Sequence, residues 1–141
     1  MIILDTNVIS EPLRPRPSEQ VIRWLDAQRP EDLCLTTITL AEVRFGIAAL
    51  PAGRRRSILS RRFEAETLPW FADRVLTFDE PASQKFAQVQ ADASARGRTI
   101  GAMDGLIAAV CLAHGCDLAT RNVKDFTGTG VGLIDPWHSD C

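Results

Sequence analysis

The chain has 141 residues, 45% of them hydrophobic, and a formal net charge of −2. That length fits one domain over residues 1–141, able to bury roughly two-thirds of its unfolded surface. No apolar run approaches the ~18 residues of a membrane span, and the apolar N-terminus is too short and lacks the basic lead of a signal peptide. Membrane insertion and export are therefore not expected, and a cytoplasmic protein is.

In chain order, Met1-Ile2-Ile3-Leu4 reads as a strand buried on both faces, because a half-exposed strand would alternate with period two. Pro12 to Pro17 is a proline-punctuated break, followed by a helix over 18–28 with Ser18 as N-cap, Glu19 in the first turn and Val21, Ile22 and Leu25 facing inward. Leu33 to Thr36 reads as a second strand, and Ile38 to Leu50 as a helix closed by Pro51 and Gly53. A helix over Arg54 to Leu68 and a strand over Val75 to Phe78 follow. Pro81 opens a helix that stops at Gly97, and Ala102 to His114 is a helix ending at Gly115. Asp117 to Thr120 and Gly132 to Asp135 are the last strands. Strands separated by helices predict right-handed crossovers, hence an α/β fold with a mainly parallel central sheet flanked by helices in three layers.

Three acids stand in apolar surroundings. Asp5 ends the first strand, and the buried strand before it places it at the edge where open α/β sheets bind ligands, a reading favoured over that of a mere cap on a short following helix. Glu42 lies in a helical run, where Thr39-Leu40-Ala41-Glu42 matches a capping box; a start at Thr36 or Thr37 would instead leave it in the helix body, on the face of Ile38, Phe45 and Gly46. Asp104 heads a stripe of Ile107, Ala108 and Cys111, either favoured by the helix dipole or directed at a cation. Three carboxylates in such contexts need compensating charge, and a divalent cation would supply it.

The basic residues are nearly all arginine and cluster at Arg54, Arg55, Arg56, Arg61 and Arg62. On a helix, 54 and 61 share one face, as do 55 and 62. The stripe suits RNA phosphate or the acidic residues of a protein partner; its bland reading is a solvated face paired with Glu64 and Glu66. Trp24, Trp70 and Trp137 are too dispersed for a base-stacking platform and are expected in the core or at a dimer surface. Cys34, Cys111, Cys116 and Cys141 show no CxxC spacing, so reduced thiols are expected, and His114 has no second ligand pair to build a zinc site.

The opening I-L-D-T-N-V-I-S-E, the T-x-x-E around Glu42, M-D-G-L-I-A-A around Asp104, A-T-R-N-V-K-D-F from Ala119 to Phe126 and the closing I-D-P-W together resemble the PIN-domain ribonucleases. The likeness is to the VapC-type toxins of type II toxin-antitoxin systems, in the FitB-like branch. It implies an acidic cluster binding Mg²⁺ (or Mn²⁺), cleavage of RNA, homodimers, and neutralisation by a small VapB/FitA-like antitoxin. Asp5 and Asp104 match the metal-ligating aspartates, and Glu42 the glutamate that completes the catalytic pocket. Thr6, Asn7 and Thr120 match its supporting polar residues. Many relatives carry an aspartate where this chain has Asn122, which lowers the pocket's charge and puts a second metal in doubt. Asp125 would compensate if its loop turned inward.

The expected chemistry is hydrolysis by a metal-activated water, with Glu42 acting through water or orienting the nucleophile, leaving a 5′-phosphate and a 3′-hydroxyl. Neither His114, at a helix end, nor His138, in the tail, fits an acid-base pair. A phosphatase with Asp5 as nucleophile would want an aspartate at position 7, where Asn7 stands, and a phosphoacceptor domain would want a lysine near the last strands, where Lys124 is the candidate. The non-enzyme alternative is a catalytically weak RNA- or antitoxin-binding module.

Overall fold

The computed structural model describes residues 1–138, so Cys141 lies outside the described residues. Within them five strands form one all-parallel sheet: β1 (Ile2–Leu4), β2 (Leu33–Thr36), β3 (Val75–Leu76), β4 (Asp117–Ala119) and β5 (Leu133–Ile134). Their order is β3-β2-β1-β4-β5. The chain therefore works outward from β1 in one direction, then returns to lay β4 and β5 on the other side. That reversal puts a topological switch point between β1 and β4, where the loops leaving two neighbouring strands part and open a crevice.

Among the described residues six α-helices cover the sheet: α1 (Thr6–Ser10), α2 (Glu19–Ala27), α3 (Thr37–Ala48), α4 (Arg54–Arg62), α5 (Glu80–Ala95) and α6 (Ala102–His114). The pleat sends alternate residues to opposite faces. Ile3, Cys34 and Leu118 join Ile107 and Cys111 of α6 in one core. Leu4, Leu33, Leu35 and Ala119 join Val8, Trp24, Val43 and Phe63 in the other. This is the predicted three-layer arrangement, and the burial of the central strands explains their unbroken apolar runs.

Caps fix the helix starts. Ser18 Oγ accepts from the Val21 N–H at 3.4 Å, Thr36 Oγ1 from Thr39 at 3.0 Å, and Asp79 Oδ1 from Ala82 at 3.1 Å. Gly115 closes α6 with φ of 65°, a conformation that glycine adopts without a Cβ penalty. Two expectations change. The helix expected over Arg54 to Leu68 is α-helical only to Arg62; a π turn (Phe63–Thr67) and a 3-10 turn (Leu68–Phe71) follow. The wider turn carries the fully buried Phe63, and Pro69 brings no N–H with which to resume the α ladder. The strand expected over Val75 to Phe78 stops at Leu76, because its partner β2 ends at Thr36, whose hydroxyl caps α3.

Trp24 lies in the core and Trp137 packs at its margin, whereas Trp70 is 65% exposed. Cys34, Cys111 and Cys116 are buried free thiols, as the sequence implied. Among the described residues no helix is long and apolar enough to cross a membrane.

Candidate active site

Asp5 is the first residue beyond β1, and its N–H continues the ladder to the Ala119 carbonyl of β4 at 2.9 Å. Its carboxylate is 5% exposed, and each oxygen has a task. Oδ1 accepts from the Thr6 N–H at 2.8 Å and caps α1, while Oδ2 accepts from Thr120 Oγ1 at 2.8 Å. The cap on α1 and the contact with Thr120 are thus made by one side chain. Thr120, the first residue beyond β4, is fully buried and accepts the Asn122 N–H on the same hydroxyl at 3.0 Å.

Glu42 belongs to the body of α3. Thr36 is the N-cap, so the capping box from Thr39 does not form, and Glu42 Oε1 instead accepts from Thr6 Oγ1 at 2.7 Å. Thr6 thereby links α3 to the end of β1. The face expected to run on to Phe45 is only partly covered: Ile38 is buried and Phe45 is 74% exposed, because the buried residues of α3 end at Val43. Asp104 sits in the first turn of α6, half-buried, where the dipole favours a carboxylate. Asn7 Oδ1 accepts the Arg121 N–H at 3.2 Å and ties α1 to the turn after β4. Asn122 and Asp125 are exposed at the 3-10 turn over Val123–Phe126.

The acids act on one another electrostatically. The Asp104 carboxyl is pushed up from an ordinary value near 3.8 to about 6, first by burial, then by the charges of Asp5, Asp125 and Glu42. Asp5 is raised as well, chiefly by burial and also by Asp125, against the lowering effect of its bonds to Thr120 and Thr6. Asp125 therefore acts on both aspartates, as it would if its loop turned toward the crevice. No lysine or arginine figures among the groups that set either value. Glu11 makes the contrast: it is 3% exposed, yet its oxygens accept from the Ser18 N–H at 2.8 Å and from Arg14 at 3.1 Å, so it needs nothing further.

Among the described residues no three His, Cys, Asp or Glu side chains stand close enough to ligate one ion directly. The donor set is oxygen-only and open, which fits a small hard cation that keeps most of its waters. A thiolate and imidazole cage would be another matter: the three described thiols are buried, and His114 is exposed at the end of α6.

The arginine stripe divides between grooves. Arg54, Arg55 and Arg62 line one with Pro12, Pro17, Ile58 and Leu59, while Arg61 lines another with Arg44, Arg56 and Glu64. Arg55 also lines the cleft that reaches Thr6 and Glu42. Glu66 lies 4.0 Å from Arg62, but Glu64 pairs with Arg44 at 2.8 Å instead of with the stripe.

Sequence reading missed the rim formed by the turns after β4 and β5. There the Arg121 guanidinium lies 5.0 Å from the centroid of the Trp137 ring, and His138 Nδ1 lies 2.9 Å from Asp135 Oδ2. The available signal was position: Arg121 stands between Thr120 and Asn122, both singled out.

Thr120→Val removes the donor to Asp5 and the acceptor for the Asn122 N–H, and should destabilise the fold by about 1–3 kcal/mol, as expected for buried polar groups left without partners. Thr120→Ser should recover most of that loss in denaturant titrations.

A parallel α/β sheet with clustered acids at its switch point defines the class to which this protein belongs. A PIN domain model matches residues 2–129. The chain is 50% identical over 138 residues to a VapC ribonuclease of Sinorhizobium fredii, across 98% of this chain and 99% of that one. It is 47% identical over 138 residues to the FitB toxin of Neisseria gonorrhoeae, with the same coverage. The crystal structure of FitAcB from Neisseria gonorrhoeae superposes with a TM-score of 0.94 at 47% identity, covering 99% of this chain and 100% of that one. The chain belongs to the PIN-domain family, among the VapC- and FitB-type proteins.

Proposed function

We propose that this protein is the toxin of a type II toxin-antitoxin pair and cleaves RNA as a Mg²⁺- or Mn²⁺-dependent endoribonuclease. The observation that carries this reading is the meeting of Asp5, Thr6, Glu42 and Thr120 through hydrogen bonds at the β1–β4 switch point, where burial and three neighbouring carboxylates raise the Asp104 carboxyl with no protein cation among the causes. Such a crevice gains most from an added divalent cation. Asp5 and Asp104 would hold it, and when bound it would supply charge neutralisation at a phosphate oxygen and a water of lowered pKa.

The chain's own residues do the positioning. Thr120 fixes Oδ2 of Asp5, and the Asp5 carboxylate is pinned at both oxygens so that its direction is set before any ligand arrives. Thr6 occupies Oε1 of Glu42 and leaves Oε2 to accept a hydrogen bond from the attacking water and aim it in line with the scissile bond. The expected ends are a 5′-phosphate and a 3′-hydroxyl. A 2′,3′-cyclic phosphate would overturn this route in favour of attack by the RNA's own 2′-hydroxyl.

The test is cleavage of a panel of transfer, ribosomal and messenger RNA by the purified, antitoxin-free protein in Mg²⁺ or Mn²⁺, with chelator and Asp5→Ala controls. Discrete cuts that require metal and vanish in the variant support the reading. Asn122 supports a second reading, a binding module with little turnover, which predicts RNA retained without cleavage.

The cognate antitoxin is proposed to be of the VapB or FitA type, acting on a homodimer of this chain in the cytoplasm. The groove of Arg54, Arg55 and Arg62 alternates basic groups with Ile58, Leu59 and prolines, a mixture that suits an acidic, amphipathic protein segment better than a polyanionic backbone. Arg54→Glu should therefore weaken antitoxin capture about tenfold while free-toxin cleavage stays within about threefold, measured by titration calorimetry and initial rates.

A further inference from the structure

Arg121 does not act on the acids, although the fold places its main chain beside Thr120 and Asn7, at the edge of the acidic crevice. Its main chain is fixed on both sides: Thr120 before it bonds Asp5, and its own N–H bonds Asn7. Its side chain is exposed. Among the described residues it makes no ion pair, despite the acids that crowd this edge of the sheet; its guanidinium lies instead over the Trp137 indole, 5.0 Å from the ring centroid. Trp137 is in turn anchored, with its main-chain N–H donating to Asp135 Oδ1 at 2.9 Å and its ring packed against the core.

This arrangement solves a problem set by the acids. A polyanion approaching Asp5, Glu42, Asp104 and Asp125 is repelled, and a cation that paired with those acids would cancel the charge they need. A guanidinium stacked on an indole keeps its planar fork of N–H donors free and limits its rotamers in advance. We propose that Arg121 binds a phosphate of the RNA strand beside the acidic crevice, with Trp137 as the positioning residue that presents the guanidinium. This rests on the ribonuclease reading and adds a substrate contact to it.

The test is binding of a short fluorescein-labelled single-stranded RNA by the full chain in an Asp104→Asn background, followed by anisotropy from about 50 to about 200 mM salt. Arg121→Ala should weaken binding about tenfold at the lowest salt and flatten the slope of log affinity against log salt by about 0.7, the signature of one phosphate contact on a single strand. Arg121→Lys should keep the slope and bind about threefold more weakly, because charge survives without the planar fork. Trp137→Leu should also keep the slope with reduced affinity. In the cleaving protein, Arg121→Ala should raise KM about tenfold and leave kcat within about threefold.

An unchanged salt slope in Arg121→Ala overturns the proposal. That holds equally if the variant loses only thermal stability, which would make the stack structural, or only antitoxin binding, which would give the guanidinium to a protein carboxylate. Failure of the ribonuclease reading looks different: the unsubstituted protein would then not cleave RNA in Mg²⁺, whatever Arg121→Ala does to the salt slope of binding.

Discussion

Replacing Asp104 with asparagine should abolish RNA cleavage and, at the same time, make the metal-free protein more stable. The first effect follows if Asp104 helps hold the cation, since loss of that charge neutralisation removes several kcal/mol of transition-state stabilisation, or about a thousandfold or more in rate. The second follows from the like charges around it. Burial and the charges of Asp5, Asp125 and Glu42 raise the carboxyl to about 6, so at pH 7.5 folding must hold an anion that its surroundings disfavour. Between the unfolded value near 3.8 and the folded value near 6 the native state binds the extra proton, so this group's contribution to stability is greatest in acid and falls as pH rises through 6. Because Asp104 is only half-buried and solvent screens its neighbours, a gain of about 1 kcal/mol is expected for Asp104→Asn at pH 7.5, roughly 2–4 °C in Tm for a chain of this size. The gap between variant and wild type should narrow below pH 6 and close near pH 4. Added Mg²⁺ should raise the Tm of the wild type and barely move that of the variant. A variant that is less stable than wild type in chelator would show that Asp104 serves the fold and not a cation.

The opposed signs explain why this part of the site was legible in the sequence. A carboxylate within an apolar stretch is costly, and Asp5, Glu42 and Asp104 each stand in one, so their spacing along the chain already announced a shared need for charge. Yet the same logic would flag Glu11, and only the folded structure shows that Arg14 and the Ser18 N–H satisfy it locally. The distinction between a structural and a site acid lies in partners that a linear reading does not reveal.

Other features depended on distances along the chain. The strand β1, the Ser18 cap and the Gly115 stop were readable because their causes are local: an apolar run, a hydroxyl before a first turn, a glycine after the last. The end of α4 was not, because helix propensity runs on through Glu64 and Glu66, whereas burial of Phe63 and the missing N–H of Pro69 decide the outcome. Nor was the length of β3, which is set by where β2 turns into α3. The Arg121 and Trp137 stack was equally hidden. It exists because β4 and β5 are neighbours, with Leu118 opposite Leu133 and Ala119 opposite Ile134, so the turns that follow them meet at one edge. Thr120 entered only through family likeness; its hydroxyl, which donates a hydrogen bond to Asp5 and accepts one from the Asn122 N–H, supplies the physical reason.

Asp125→Asn should raise the Mg²⁺ concentration needed for half-maximal cleavage by about ten- to a hundredfold, the range over which outer-sphere partners tune metal sites. Asp125 raises both Asp5 and Asp104, so it contributes negative potential to the whole crevice although its side chain is exposed. It can do so because the main chain at Asn122 is held by Thr120, which fixes where the following turn begins. Asn122→Asp should act in the opposite direction, lowering the Mg²⁺ requirement and, by added repulsion, lowering the Tm of the metal-free protein. The decisive measurement is the double variant Asn122→Asp/Asp125→Asn. If the two positions supply the same charge to the same crevice, the opposed single effects cancel and the double variant returns close to the wild-type Mg²⁺ dependence. If instead Asp125 only shapes its turn, a carboxylate at position 122 does not replace it, the double variant keeps the raised Mg²⁺ requirement, and the fourth acid of this site has to be sought elsewhere than in the turn over Val123–Phe126.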